Sequence, residues 1–380
     1  MNILYIGEFR GFVGGIEHFM HQSALLLRRY RWRVDCCALK PEREEPRFAS
    51  GFDRVFGVRE ALASAAEYDL VVLHKVPEYG LFRELEAAAG RRLVFWAHDH
   101  ELYCPGGSCR ASAWKRGCQR AFHPLHCAFC TLIARNGKAF RELPGFLRER
   151  HRLIAALSRH PTMVLSEFMR QNLLKNGFHR HMVQLIHPFR TVCERDHAFM
   201  LGGEIKIIYV GRLFRRKGLE DLLAALRRVR VPFSLRIVGD GDDRARLEAM
   251  ASHHRLAGRV GFTGWCAAPE IYWRQADLAV FPFRWQEPFG LGGLEAASFG
   301  LPVIVSDTGG VREWLKDRVN GRLVPAGNPE ALARTIEWAA ASPLRLWRMG
   351  QAGAALVRSI FPEEKFVNTF FNMVENLPRL

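Results

Sequence analysis

Ile205-Lys206-Ile207-Ile208-Tyr209-Val210-Gly211-Arg212-Leu213-Phe214-Arg215-Arg216-Lys217-Gly218 is the stretch that decides the fold. An apolar run breaks at a glycine, passes a basic loop, breaks at a second glycine and continues into the helical pattern of residues 219–229. That is a strand, a turn and a helix, the repeating unit of a parallel sheet covered on both faces. Outward from it, further strands read at Leu235–Val238, Val260–Phe262, Leu278–Phe281 and Val303–Val305, with helical patterns at 244–251 and 291–298. Upstream lies a second series. Ile3–Ile6 is followed by a glycine-containing turn over 11–15 and a helix with Ile16, Phe19, Met20, Ala24 and Leu27 on one face. Strands then read at Val34–Leu39, Leu70–Leu73, Leu93–Trp96, Met163–Leu165 and Val183–Ile186.

The fold class is therefore α/β, with two Rossmann-like domains facing across a deep cleft. The strand rhythm pauses near 190–204, so the expected domains are 1–195 and 203–345, with a helical segment over 346–380 crossing back to the first domain. At 380 residues the chain is long enough for both. Ligands of such folds sit at the carboxyl ends of the strands, which makes the interdomain cleft the expected site.

Hydrophobic residues at 48% and charged residues at 25% describe a soluble globular protein. Met1–Ile6 reads as a first strand and not a signal peptide, and no run reaches the roughly 20 apolar residues needed to span a bilayer. The expected location is cytoplasmic. A net charge of +16 suits an anionic partner. Much of it lies in Arg28-Arg29-Tyr30-Arg31-Trp32-Arg33 and in Arg141, Arg148, Arg150, Arg152 and Arg159, with Leu147, Leu153 and Ile154 among them. Two readings stay open: a solvated basic face, or peripheral attachment to an anionic membrane surface at the inner face of the cell membrane. Nucleic acid is disfavoured, because no zinc-finger spacing, RNA-binding aromatic pattern or recognition helix is present.

Gly14-Gly15, between the first strand and a helix, allows a backbone to approach an anion closely at a helix N-terminus. Its spacing is not a dinucleotide fingerprint, so a nicotinamide cofactor is disfavoured. In the second domain Arg212 offers a bidentate phosphate contact, and Lys217 places a point charge at a helix start. A cation there opposes the helix dipole, which makes sense if a diphosphate occupies the gap. Gly239, in Val238-Gly239-Asp240-Gly241, reads equally as a nucleotide-lining loop or a structural turn.

The most specific stretch is Trp285-Gln286-Glu287-Pro288-Phe289-Gly290-Leu291-Gly292-Gly293-Leu294-Glu295-Ala296. Glu287 lies in a loop limited by proline and glycine, and Glu295 about a turn inside the following helix. The two carboxylates suit hydroxyl partners: Glu295 the ribose, Glu287 the donor sugar. The amides of Phe289, Gly290, Leu291 and Gly292 would face the diphosphate. Such an arrangement stabilises a departing nucleoside diphosphate as charge builds on it. Gly309-Gly310 would let a further loop sit close to the sugar.

With these motifs the sequence resembles the retaining GT-B glycosyltransferases of family 4, glycosyl transferases group 1. The resemblance rests on Gly14-Gly15, His98-Asp99, the 211–218 run, Gly239-Asp240-Gly241, the Glu287/Glu295 pair and Gly309-Gly310. It implies a retaining glycosyltransferase that needs no catalytic metal and moves a hexose or related sugar from a nucleotide-diphosphate-sugar donor to a glycan or lipid-linked acceptor, in cell-surface polysaccharide or lipopolysaccharide biosynthesis. It also implies that Glu287, Arg212, Lys217 and His98 carry the chemistry, with Asp99 and His100 on the acceptor side. The alternatives are a sugar-nucleotide hydrolase or epimerase, marked by product without acceptor, and a non-catalytic nucleotide-binding scaffold.

Residues 98–130 form an insert holding Cys104, Cys109, Cys118, Cys127 and Cys130, five of the nine cysteines. The two-residue gap between Cys127 and Cys130 is that of a metal knuckle. A structural zinc on Cys109, Cys118, Cys127 and Cys130, with Cys104 as substitute, stands beside disulfides and free thiols.

Overall fold

The computed structural model describes every residue except 41–44, 106–109, 112–115, 119, 135–142, 194–202, 254–255 and 378–380. Cys109 and Arg141 fall outside the described residues. The chain divides into two compact units, Met1–His187 with Glu364–Leu380, and Pro188–Glu363.

The first unit is built on β1 (Asn2–Gly7), β2 (Arg33–Ala38), β3 (Val55–Phe56), β4 (Leu70–Leu73) and β5 (Leu93–Ala97). A two-residue hairpin, β6 (Arg110–Ala111) and β7 (Arg116–Gly117), precedes β8 (Thr162–Val164) and β9 (Val183–Leu185). Seven of these strands form a parallel sheet in the order β3-β2-β1-β4-β5-β8-β9. β4 and β5 are buried along their whole length, as expected where helices cover both faces.

The second unit holds β10 (Ile205–Val210), β11 (Phe233–Val238), β12 (Val260–Gly264), β13 (Leu278–Phe281), β14 (Val303–Ser306) and β15 (Gly321–Val324). They form a parallel sheet in the order β12-β11-β10-β13-β14-β15. In each sheet the strand order reverses beside the first strand, between β1 and β4 and between β10 and β13, and ligands of open α/β sheets bind outside the carboxyl ends of the strands at such points. Two Rossmann-like lobes are what the sequence rhythm implied. It missed β3 and β15, which are short edge strands with little apolar signal.

The last helix, Glu363–Glu375, completes the first unit. Phe366 and Phe370 stack on Trp96 of β5, with ring centroids 6.1 and 5.8 Å away, and Phe366 packs edge-on to Phe19 at 6.1 Å. The two passages of chain between the units are tied together, Arg190 N donating to Phe361 O at 2.9 Å and Thr191 Oγ1 to Glu363 Oε1 at 2.9 Å.

Candidate active site

In the second unit β10 ends at Val210, and a single 3-10 turn, Arg215–Lys217, brings the chain back to a helix over Leu219–Leu226. Gly218 joins them in the left-handed region, at φ +73, where a Cβ would stand 1.9 Å from the Pro282 carbonyl oxygen. Pro282 directly follows β13. Only glycine permits that approach, and it sets Lys217 at the sheet's reversal point.

There Lys217 Nζ donates to Glu287 Oε2 at 2.8 Å, and the same oxygen accepts the Trp285 indole N–H at 2.6 Å. The pair is mostly buried, the side chains being 17% and 9% exposed. The ammonium also lies 4.7 Å from the Phe283 ring centroid and 4.9 Å from that of Trp285, close enough for cation–π attraction. Burial, and after it the Glu287 charge, holds the Tyr209 hydroxyl far above its ordinary pKa. Arg212 is exposed, its guanidinium 5.7 Å from the Phe214 ring centroid, with Lys217 Nζ 5.9 Å from the same ring. The structure thus brings Arg212, Lys217 and Glu287 together around the aromatic group Phe214, Phe283 and Trp285.

The Glu287 loop is held by its neighbour. Gly310 N donates to Glu287 O at 2.8 Å and Gly309 N to Gln286 Oε1 at 3.1 Å. Gly309 has φ +61, and a Cβ on it would lie 2.0 Å from the Glu287 carbonyl oxygen. The glycine pair read from the sequence as lining a sugar therefore grips the backbone of the Glu287 loop.

The helix Leu291–Ser298 opens at Gly290, which is left-handed at φ +92. Its first-turn amides at Leu291 and Gly292 have no intrahelical acceptor. Phe289 turns its ring inward, where it is 1% exposed, and its carbonyl accepts the Trp314 indole N–H at 2.6 Å. Glu295 is half-buried. Burial raises its carboxyl above the ordinary value, Arg190 opposes that and Glu270 adds to it. Its charged neighbours differ from those of Glu287, so the two carboxylates occupy separate surroundings. Gly239 N donates to Gly264 O at 2.8 Å, and Asp240 O accepts from Leu213 N at 2.8 Å. This loop braces the 211–213 turn.

In the first unit Gly14 caps the helix Gly15–Arg29, and Gly14 N donates to Glu17 Oε2 at 2.8 Å. The N-terminus read as an anion site thus already carries a carboxylate of its own chain. Glu17 is buried, and burial raises its pKa, with Glu8 adding to the rise while hydrogen bonds from the Glu17 and Gly14 amides oppose it.

His98 follows β5 and is half-buried. Its Nε2 lies 2.8 Å from Nδ1 of His74, which follows β4. The rings stack at 5.1 Å between centroids. Burial, then the Lys75 charge, pushes His98 down to about 3. Beside the pair, Lys75 reaches Glu101, Glu8 at 3.5 Å and Asp99 at 3.6 Å. Glu8 is held below the ordinary carboxylate range by Lys40 and Lys75, although its burial works the other way. Asp99 Oδ1 accepts from Glu101 N at 2.9 Å. His100, expected beside an acceptor, needs correcting. It is 0% exposed, with Nδ1 2.7 Å from the Tyr103 hydroxyl and its ring edge-on to Phe168, so it offers no surface to a ligand. His74 and Lys75 lie outside the sequence reading, which takes in Trp285 only as the start of the Glu287 stretch, with no role of its own. The first two stand directly after a strand, a position that signals a site by itself.

Cys36, Cys37, Cys118, Cys193 and Cys266 are free thiols. Cys127 is raised by burial, opposed by a hydrogen bond from His123 N and reinforced by Cys104, Cys118 and Cys130. Among the described residues no group of three or more His, Cys, Asp or Glu is arranged to hold a metal ion.

Residues 195–355 match the family model described as Glycosyl transferases group 1. An uncharacterized glycosyltransferase of Methanocaldococcus jannaschii is 36% identical over 138 residues, 35% of this chain and 35% of that protein. The lipopolysaccharide core biosynthesis glycosyltransferase LpsE of Rhizobium meliloti is 28% identical over 172 residues, 45% of this chain and 50% of that protein. The chain thus spans half or less of the length of these curated relatives. Among solved structures, Anabaena HepE in complex with UDP and glucose matches with TM-score 0.74 at 17% identity, covering 99% of this chain and 100% of HepE. Sucrose-phosphate synthase of Thermosynechococcus elongatus matches with TM-score 0.74 at 20% identity, covering 99% of this chain and 98% of that one. At such identities the likeness establishes the fold, which is GT-B.

Proposed function

We propose that this GT-B chain, related through its second unit to the Glycosyl transferases group 1, transfers a sugar from a nucleotide-diphosphate-sugar to a glycan or lipid-linked acceptor with retention of configuration. The observation that carries the reading is the buried Lys217–Glu287 pair at the reversal point of the second sheet. A lysine with three donors and a carboxylate with one oxygen not engaged by Lys217 or Trp285 form a site for two kinds of group at once. A diphosphate takes Lys217, with Arg212 beside it and the first-turn amides of Leu291 and Gly292 completing the anion site. Glu287 then hydrogen-bonds hydroxyls of the sugar. As the glycosidic bond lengthens, charge grows on the phosphate oxygens, and fixed cations and amides stabilise that state more than the ground state. His98, in the first unit, is a separate candidate for a hydrogen bond to a ligand oxygen.

Calorimetric titration with UDP, GDP and ADP tests the reading. We expect binding of at least one, and Glu295→Ala weakens it about tenfold by loss of ribose hydrogen bonds. Binding of none of the three would reject the assignment. Release of free sugar without an acceptor would favour the hydrolase alternative.

The described residues contain no helix long and apolar enough to cross a membrane. Leu125 and Phe129, one turn apart on the helix Pro124–Ala134, are 77% and 64% exposed. With the basic residues of the helix Leu143–Leu157 they support docking on an anionic membrane surface. Flotation with phosphatidylserine vesicles is expected at low salt and not at high salt. No flotation at low salt rejects the docking. A structural zinc on Cys109, Cys118, Cys127 and Cys130 predicts about one equivalent of zinc in the purified protein. A metal-free, fully folded protein rejects it.

A further inference from the structure

His98 and His74 stand at the carboxyl ends of neighbouring strands, joined by one hydrogen bond of 2.8 Å between His98 Nε2 and His74 Nδ1. One nitrogen must donate and the other accept, because both rings are neutral. Burial drives His74 well below its ordinary pKa, with His98 second, and drives His98 to about 3 with Lys75 second. A proton shared between the two nitrogens leaves two arrangements.

The remaining two ring nitrogens decide between them. His74 is 2% exposed, and its Nε2 is buried without a hydrogen-bond partner. Its ring is packed among aromatic ones, Tyr5 edge-on at 4.3 Å and Trp96 stacked at 5.3 Å between centroids. Among the described residues His98 Nδ1 makes no hydrogen bond, and the residue is only half-buried. If His98 Nε2 donated, His74 would carry its proton on the buried Nε2 and leave an N–H with nothing to bond. Orphaned buried N–H groups are rare in native structures, and under-satisfied acceptors are less so. A lone pair at that position is the cheaper orphan. The proton then sits on His74 Nδ1 and is donated to His98 Nε2, and the proton of His98 sits on Nδ1.

We infer that His74 is a positioning residue that locks His98 in its Nδ1–H tautomer, so that His98 meets its ligand as a neutral hydrogen-bond donor and not as a base. The partner it fits is an oxygen with a free lone pair, such as a hydroxyl or phosphate oxygen, and not a group that must lose a proton. The choice of ligand rests on the proposed transferase reading. The tautomer does not.

Imidazole nitrogen NMR on the full chain, 15N-labelled at histidine, tests the tautomer directly. His98 is expected to show a protonated Nδ1 and an unprotonated Nε2 between pH 5.5 and 8.5. His74→Phe removes the donor, and the His98 proton is expected to move to Nε2. His74→Asn restores an amide N–H near the lost Nδ1 and is expected to bring the original pattern back. An Nε2-protonated His98 in the unaltered protein overturns the inference, even if His74→Phe fails to fold. So does a His98 pattern that His74→Phe leaves unchanged. A chain that transfers no sugar but shows the Nδ1–H pattern would sink the functional reading and leave this one standing.

Discussion

Glu287→Ala is expected to lower the rate of sugar transfer by about 10²- to 10³-fold, the scale of removing one fixed electrostatic contact to a transition state. The side chain has little freedom to be replaced by a neighbour. Its Oε2 is pinned by Lys217 and Trp285, and its backbone carbonyl accepts from Gly310 N and lies close against Gly309. The same change leaves Lys217 without its counter-charge in a site where it is only 17% exposed. Three aromatic rings still attend the ammonium, so the loss of stability should stay near that of one charged hydrogen bond, roughly 1.5–3 kcal/mol. Glu287→Gln keeps the shape and removes the charge. If it turns over like Glu287→Ala, the charge is what matters; if it recovers most of the rate, hydrogen bonding is. Steady-state transfer assays with calorimetric melting separate these effects. Transfer by Glu287→Ala within threefold of the unaltered rate would end the proposed role.

The second large effect is on folding. Trp314→Ala should destabilise the second unit by about 3–5 kcal/mol, the range for deleting a buried large aromatic side chain. Trp314 is 1% exposed and donates to Phe289 O at 2.6 Å. It fills the space under the helix start so closely that a Cβ on Gly293 would lie 2.1 Å from its ring. Its loss leaves a cavity beneath Gly290–Gly293 and frees the Phe289 carbonyl, so nucleotide affinity should fall with stability. Scanning calorimetry measures the first and titration the second. A loss below about 1 kcal/mol would mean that the helix start stands without this support.

Strand-and-glycine rhythm was enough to read both sheets, because buried parallel strands are continuous apolar runs and their turns are marked by glycine. Arg212 and Lys217 stand out as candidates in the basic loop after Val210, and Glu287 in its loop limited by proline and glycine; the fold places Lys217 and Glu287 side by side. What the sequence could not show was which groups satisfy one another. Glu17 plays no part in the sequence reading, and the folded backbone shows it closing back on Gly14. His100 sits two residues from His98, yet the turn after β5 leaves one residue half-buried and puts the other wholly in the core. Gly309-Gly310 has the composition of a ligand loop, but its contacts are with Glu287, over twenty residues earlier. Pairings over such separations leave no local signature.

Because the helix that stacks Phe366 and Phe370 on Trp96 is made after the entire second lobe, the ribosome releases the first lobe's opening 187 residues before the piece that finishes it exists. The second lobe, contiguous in the chain, is complete as soon as it emerges. A stop codon placed just after the second lobe would therefore damage the first: Trp96, the ring against which both His74 and His98 stack, would meet water where it now meets two phenylalanines. The lobe translated first is the one that matures last.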